Sequence, residues 1–490
     1  MPLAVPGLPK GRAGSIPAPG TQNSHTWKQL AVQPRGVLRL SPTFPQTENA
    51  RVNQHQWTCG LRHLGIYALL AVLVAMLSAA SRASAADRPN IVLIISDDHG
   101  YTDYGFMGHQ TVRTPHLDRM AAQGLLYTRG YTMPVCSPSL ASLLTGQLPH
   151  RHGITGNDLA TPPAPVAGKG QRFPLSDRVL RNSVLLPRAL SEAGYLTFQS
   201  GKLWNTSFRD VGFTDGMTAT PGRHGDAGLA IGRKGLQPLF DFMDDARQQG
   251  KPFFVWYAPM LPHDPHDPPP EILQKYLGQG PTPAAEKYFA MVEWFDKTCG
   301  ELDRYLADHQ LTDNTVVLYL ADNGWDAALG YGGTRAKLSP YELGIRTPMF
   351  VRWPGKVPPR RDDDTLASIV DFVPTILKMA GAKAPGDLPG LDLTDTAAMR
   401  ARQTVFVEAY THDIADLAAP QRSLIAQVVI SGWSKLLIPG PARPDKPHSS
   451  APREIELFDL RSDARELTNL ALQRPDEVLR LKAMQDQAWK

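Results

Sequence analysis

Residues 90–96 read Asn-Ile-Val-Leu-Ile-Ile-Ser, an unbroken and largely β-branched run that ends in two aspartates, Asp97 and Asp98. A strand with one wet face alternates apolar and polar residues, so a continuous run marks a strand buried on both faces. Such a strand demands a sheet covered by a layer on each side. Further strand candidates lie at 196–200, 253–258, 315–320 and 348–352. Helical periodicity fills the intervals at 117–123, 185–193 (stopped by Gly194), 238–248, 286–308 and 371–380 (stopped by Gly381). The alternation predicts an α/β fold, a large mostly parallel sheet sandwiched by helices. Residues 382–400, rich in Pro, Gly and Asp, read as a linker. Strands near 404–408, 423–430 and 435–438 and a helix from Glu466 onward then predict a smaller C-terminal α+β domain. The expected division is 1–86 as extension and signal, 87–385 as catalytic domain and 400–490 as C-terminal domain.

The first residues carry a different signal. Residues 1–55 are rich in Pro, Gly, Ser and Gln, without periodicity. Arg62 and His63 then precede an apolar run at 64–77, and Ala83-Ser84-Ala85 fits a small-residue cleavage site. That order is a secretory signal, and the run is shorter than the roughly 20 residues that span a bilayer comfortably. The expectation is a secreted or periplasmic protein with no stable membrane span, its mature end near Ala86. An initiator nearer Val52 than Met1 suits that order. Three cysteines are few for an exported disulfide scaffold. Cys59 leaves with the signal, which leaves Cys136 and Cys299, either paired or serving separate ends. The net charge of +4 over 490 residues, with no basic run, gives no reason to expect a nucleic-acid partner.

In open parallel sheets, ligands bind beyond the carboxyl ends of the strands. Those ends carry Asp97-Asp98, Gly201-Lys202, the run to His263-Asp264, and Asp322-Asn323-Gly324. Four such coincidences point to one edge. Asp97, Asp98, Asp322 and Asn323 supply the oxygen donors that a hard divalent cation requires. Taken singly, each pair also suits a helix cap or a plain turn. Cys136 stands just before Pro138 in Cys136-Ser-Pro-Ser-Leu-Ala-Ser-Leu-Leu-Thr-Gly146. A helix starting there offers N–H donors to an anion and predicts a lowered thiol pKa. A buried structural cysteine is the plainer alternative.

Together these residues resemble the sulfatase family, of alkaline-phosphatase-like fold. Residues 88–98 resemble its opening strand and metal pair, Thr114-Pro-His-Leu-Asp118 its next block, and residues 136–146 its signature Cys-x-Pro-Ser-Arg-Ala-Ser-Leu-Leu-Thr-Gly. Asp322-Asn323-Gly324, residues 341–348, 456–460 and 466–471 match later blocks in order. The resemblance implies that Cys136 is oxidised to formylglycine by a formylglycine-generating enzyme. Its hydrate attacks sulfur and forms an enzyme-bound sulfate ester. It implies Asp97, Asp98, Asp322 and Asn323, with the residue at Cys136, as ligands of calcium, magnesium being the alternative. It implies Lys202 and Lys337 on the sulfate oxygens and His263 as proton donor to the leaving oxygen of a sulfated small molecule or glycan.

Two positions depart from the pattern. Leu140 stands where the signature has Arg, which removes a positive charge from the pocket. After Lys202 the chain reads Leu-Trp-Asn205, so an amide that can bind substrate but not act as a base replaces the usual His. A phosphoryl or phosphonate hydrolase, or a non-catalytic binder of sulfated glycans, are the readings that compete with a sulfatase. His109, His116, His150 and His152 read as surface or supporting groups, and His266 as a substrate contact. Trp204, Trp256 and Trp353 read as core, Trp325 as a sugar-stacking ring, and the glycine-rich Gly330–Gly333 stretch as a ligand loop before Lys337.

Overall fold

The computed structural model describes residues 88–160, 184–203, 206–219, 227–327, 335–416, 418–446 and 450–489. The expected signal segment, most of the 158–182 loop, Trp204, Asn205 and Gly330–Gly333 lie outside the described residues. The strands in chain order are β1 Asn90–Ser96, β2 Leu125–Tyr131, β3 Asp158–Leu159, β4 Leu196–Gly201, β5 Asp215–Gly216, β6 Phe253–Ala258, β7 Thr315–Ala321, β8 Arg346–Arg352, β9 Arg360–Ser368, β10 Thr404–Tyr410, β11 Asp413–Ile414, β12 Leu424–Ser431, β13 Ser434–Pro439 and β14 Glu456–Asp459. Eight of them form one sheet in the order β5-β4-β6-β1-β7-β8-β2-β9. Within it β8 alone runs against its neighbours.

The apolar run at residues 90–96 is the middle of this sheet, and every residue of β1 is buried. Its side chains alternate between two apolar clusters. Ile91, Leu93 and Ile95 pack with Leu140, Leu143, Leu190 and Ile376 on one face. Val92 and Ile94 pack with Leu117, Leu239, Phe242, Phe295 and Leu302 on the other. Those partners belong to the helices Cys136–Thr145, Leu186–Glu192 and Phe372–Ala380 on the first face. On the second they belong to Pro115–Ala122, Gln237–Gln248 and Pro283–Asp308. Burying each such aliphatic or aromatic chain is worth roughly 1.5–3 kcal/mol, so a polar substitution in β1 is costly.

A second sheet, β10-β12-β13-β14, is antiparallel and forms the C-terminal part. One of its faces, through Val405, Val407, Val428, Ile430 and Leu437, joins the first apolar cluster. The structure is therefore the expected large, mostly parallel α/β sheet with a smaller C-terminal antiparallel region.

Some boundaries differ from expectation. Strands β2 and β9 break the apolar pattern with Arg129-Gly130 and with Arg360 to Asp364. Arg129 is buried by stacking on Trp433 and donating to the Asp364 and Gly432 carbonyls. The charges of β9 sit on an edge strand, paired only to β2, where they discourage further pairing. Residues 382–400 are no free linker. Leu391 and Leu393 donate backbone bonds to Asp371 and Thr375, and a short helix, Thr396–Ala401, follows. The last helix begins at Pro475, not at Glu466. Glu466 itself is buried, with left-handed backbone at φ 58°, and its carboxylate receives Lys435 and the Glu342 N–H.

Candidate active site

Strands β4, β6, β1 and β7 are adjacent and parallel, so their carboxyl ends bring Lys202, His263, Asp97-Asp98 and Asp322-Asn323 to one edge. Asp98 takes a left-handed conformation, φ 59°, which aspartate tolerates better than most residues. Its N–H donates to Asp322 Oδ1 at 3.2 Å. Gly201 is also left-handed, φ 73°, and a Cβ there would lie 1.9 Å from the Ala258 carbonyl oxygen. Only glycine lets β4 turn sharply enough to deliver Lys202. Trp256 is core, as expected, and its indole N–H donates to the Lys202 carbonyl at 3.1 Å.

Strand β2 is followed by Pro134 and Cys136, which is buried at the first position of the Cys136–Thr145 helix. Antiparallel β8 presents its N-terminal end to the same edge, and the segment before it carries Lys337. The two segments are stitched together, because Leu338 N–H donates to the Pro134 carbonyl and Thr132 N–H to the Ile345 carbonyl, both at 2.8 Å.

The charged groups converge. Lys202 Nζ lies 2.6 and 2.7 Å from the Asp97 carboxylate oxygens, 3.1 Å from Cys136 Sγ and 3.9 Å from Asp322 Oδ2. Lys337 Nζ lies 2.7 Å from Asp98 Oδ2, and His263 Nε2 lies 3.3 Å from the same oxygen. Asn323 donates through Nδ2 to Asp98 Oδ1 at 2.7 Å. Asp322 Oδ2 and Asn323 Oδ1 are buried with no hydrogen-bond partner among the described residues. Donor atoms of Asp97, Cys136 and Asp322 lie within 4.8 Å of one another, as do those of Asp97, Asp98 and His263. His263 Nδ1 is 2.6 Å from the Asp264 carbonyl oxygen. A carbonyl can only accept, so Nδ1 carries a proton and Nε2 is the atom turned toward the carboxylates.

Burial opposes every charge here. It pushes Asp98 upward, but His263, Lys337 and Lys202 outweigh it and hold the carboxyl well below its usual range. It pushes Asp322 well up, and Asp97 adds to the push. It acts downward on Lys202 and Lys337, whose carboxylate neighbours overcome it and raise both. Burial lifts the Cys136 thiol to about 11, with Lys202 and Lys337 pulling the other way. The thiol is thus raised where the helix start predicts lowering, because desolvation, aided by Asp322 and Asp97, exceeds the pull of the two lysines.

Cys136 and Cys299 are both free and buried. Leu140 is 1% exposed within the first apolar cluster and brings no charge to the pocket. The other histidines serve local structure. His150 pairs with Glu408, His152 contacts Ser142 at 3.2 Å, His109 accepts from Thr111 and Val112, and His116 lies beside Arg119. His266 packs edge-on to Trp325, which is itself 2% exposed and so no open stacking platform. Trp353 is only partly buried at the margin of the first cluster, its ring N–H donating to the Asp313 carbonyl. Two neighbours carry no sequence motif and escaped the reading. Asn157 Oδ1 accepts the Ser137 N–H at 3.0 Å beside the helix start, and Arg233 grips the His263 loop.

Comparison with known proteins bears on the family. The Sulfatase family model matches residues 89–382. The chain is 33% identical to N-acetylgalactosamine-6-sulfatase of Canis lupus familiaris over 380 residues, which span 66% of this chain and 68% of that protein. It is 31% identical to human arylsulfatase A over 373 residues, 65% of this chain and 69% of that one. Among solved structures, Ps i-CgsB in complex with a neocarrahexaose superposes with TM-score 0.66 at 20% identity, covering 82% of this chain and 93% of that one. BT4656, solved with its substrate D-glucosamine-2-N,6-O-disulfate, gives 0.63 at 19%, covering 82% and 98%. At those identities the structural matches speak to the fold, while the family match and the sequence relatives establish that the chain belongs to the sulfatase family, the hydrolases of sulfuric esters.

Proposed function

We propose that the protein hydrolyses sulfate esters of carbohydrates, using a formylglycine derived from Cys136 and a bound divalent cation. The observation that carries this reading is the single buried cluster in which Lys202 touches both Cys136 and Asp97 while Lys337 and His263 meet on Asp98. The names of the relatives, N-acetylgalactosamine-6-sulfatase and the glucosamine disulfate complex, support a sugar as the alcohol.

The residues fit a cation. Asp97, Asp98, Asp322 and Asn323 offer hard oxygen donors, and two of those oxygens, on Asp322 and Asn323, are buried without a partner among the described residues. These four, with the residue at 136, would hold calcium or, alternatively, magnesium. A cation held there supplies positive charge against the sulfate oxygens. A formylglycine at 136 supplies, once hydrated, the hydroxyl nucleophile. The thiol itself is poorly suited to attack, since burial keeps it protonated at neutral pH.

The chain's own groups do the rest. Lys202 and Lys337 turn ammonium groups toward the sulfate oxygens, where fixed charge is worth more than in water. His263 keeps its Nδ1 proton on Asp264 and offers the Nε2 proton to the departing alcohol oxygen. Leu140 leaves the pocket one positive charge short of the family signature, which favours a sulfate monoanion over a phosphate dianion. Asn205 adds an amide to the substrate side in this reading. The signal-like segment directs the protein to a secreted or periplasmic site, and no described helix is long and apolar enough to cross a membrane.

The decisive experiment is coexpression with a formylglycine-generating enzyme, followed by mass spectrometry of the Cys136 peptide and assay on sulfated sugars. The expected peptide is lighter than the thiol form by about 18 Da. Unmodified thiol throughout, with sugar sulfates hydrolysed at the wild-type rate by Cys136→Ala, overturns the reading.

A further inference from the structure

His263 lies on a loop between β6 and the helical turn Pro270–Leu273, and the loop meets the sheet through one parallel bridge, Asp97 N–H donating to the Leu261 carbonyl at 3.0 Å. Beyond that bridge, side-chain support comes from a distant segment. Arg233 Nη2 donates to the carbonyl oxygens of Met260 at 3.3 Å, Pro265 at 3.3 Å and His263 itself at 3.5 Å. Arg233 Nη1 pairs with the Asp267 carboxylate. The guanidinium carbon also sits 5.5 Å from the centre of the Trp294 ring. One side chain thus gathers both ends and the middle of the loop.

The base of Arg233 is fixed against the same loop. It stands in a tight turn closed by the Gly232–Gly235 bridge. Gly232 is left-handed at φ 80°, and a Cβ there would lie 3.1–3.2 Å from Tyr257, Leu261 and Pro259. A planar guanidinium with five donors can serve three carbonyls and a carboxylate at once, whereas a lysine ammonium is a point charge with three donors and no fork.

We propose that Arg233 is a positioning residue that sets the aim of His263 Nε2, and so the protonation of the leaving alcohol. This rests on the reading of His263 as the proton donor. Proton donation matters most when the departing oxygen is a poor leaving group. A misplaced acid therefore penalises alkyl sulfates, such as sugar sulfates, far more than activated aryl sulfates. A general loss of structure lowers both alike.

The test uses the full matured protein and a series of aryl sulfates of rising phenol pKa together with a sugar sulfate. The alkyl-to-aryl ratio of kcat/KM is expected to fall about 10–100-fold in Arg233→Ala, less than the roughly 10²–10⁴-fold that a whole general acid contributes, because the acid is misaimed and not removed. Arg233→Lys should show most of that fall. Asp267→Asn, a change at an exposed carboxylate, should move the ratio in the same direction by less and guards against a misfolded arginine variant. Hydrogen exchange of the amides at residues 260–267 should quicken in Arg233→Ala. His263→Ala separates the two ideas. If it steepens the leaving-group dependence while Arg233→Ala and Asp267→Asn leave it unchanged, the role of Arg233 is wrong. If His263→Ala leaves the dependence unchanged, the proton-donor reading fails first and takes this one with it.

Discussion

Replacing Asp322 by Asn removes one negative charge from the pocket and almost no volume, so it isolates the electrostatics. Donor atoms of Asp97, Cys136 and Asp322 lie within 4.8 Å of one another. Two carboxylates at that separation repel by about 3.5 kcal/mol at an effective dielectric constant of about 20. Lys202 Nζ stands 3.9 Å from Asp322 Oδ2. On the same footing that attraction is about 4 kcal/mol, so the two contributions nearly cancel. What remains is the cost of burying a carboxylate oxygen that has no hydrogen-bond partner among the described residues. An unsatisfied buried polar group costs about 1–3 kcal/mol, more when charged; Asp322→Asn keeps a polar atom there but drops the charge, and is expected to recover part of this, about 1 kcal/mol, in metal-free protein. Calcium should reverse the order. At a hundredfold excess over its Kd, a ligand that binds only the folded state stabilises it by about 2.7 kcal/mol. The variant, with one anionic ligand fewer, should gain little of this. Urea unfolding in EDTA and in calcium measures both arms. A variant less stable than wild type in EDTA, or one that gains as much from calcium, would refute the assignment of Asp322 as a charge held in reserve for a cation.

Lys202→Ala strips the partner from buried Asp97, and should cost about 3–5 kcal/mol in metal-free unfolding, the usual effect of orphaning a buried charge. Its kcat should fall by at least about 10²-fold, as for loss of one donor to a transition-state oxyanion. Gly201→Ala forces a Cβ to 1.9 Å from the Ala258 carbonyl, and a lower Tm with loss of sulfatase activity is expected. Asp296 accepts the Leu117 N–H at 2.8 Å, and burial lifts its carboxyl from the ordinary 3.8 to about 7. A raised carboxyl favours folding in its protonated form, so its contribution is complete below 3.8 and is lost as pH rises through 7. Asp296→Asn should flatten that part of the profile of stability against pH, measured by chemical denaturation.

Much of the site was legible because its strands obey one rule. Lys202, His263, Asp97 and Asp322 follow strands that are parallel and adjacent, so reading the residue after each strand finds them. Lys337 precedes a strand that runs the other way, and the same rule cannot find it. It entered only through family resemblance. Cys136 follows β2, which escaped notice because Arg129 and Gly130 interrupt its apolar run, and Arg129 is accommodated only by the distant Trp433. Arg233 left no trace in the sequence, since its role depends on where three backbone carbonyls point. The raised thiol has a related cause: a helix start is visible in a sequence, but the burial that lifts Cys136 is not.

The bond from Leu338 N–H to the Pro134 carbonyl joins the arm that carries Lys337 to the arm that carries Cys136. Those arms are some 200 residues apart in the chain, yet neither can shift alone. Anyone exchanging pocket segments between this protein and a relative would have to move residues 132–136 and 335–345 as one cassette. Transplanting either half by itself would carry the wrong register into the other.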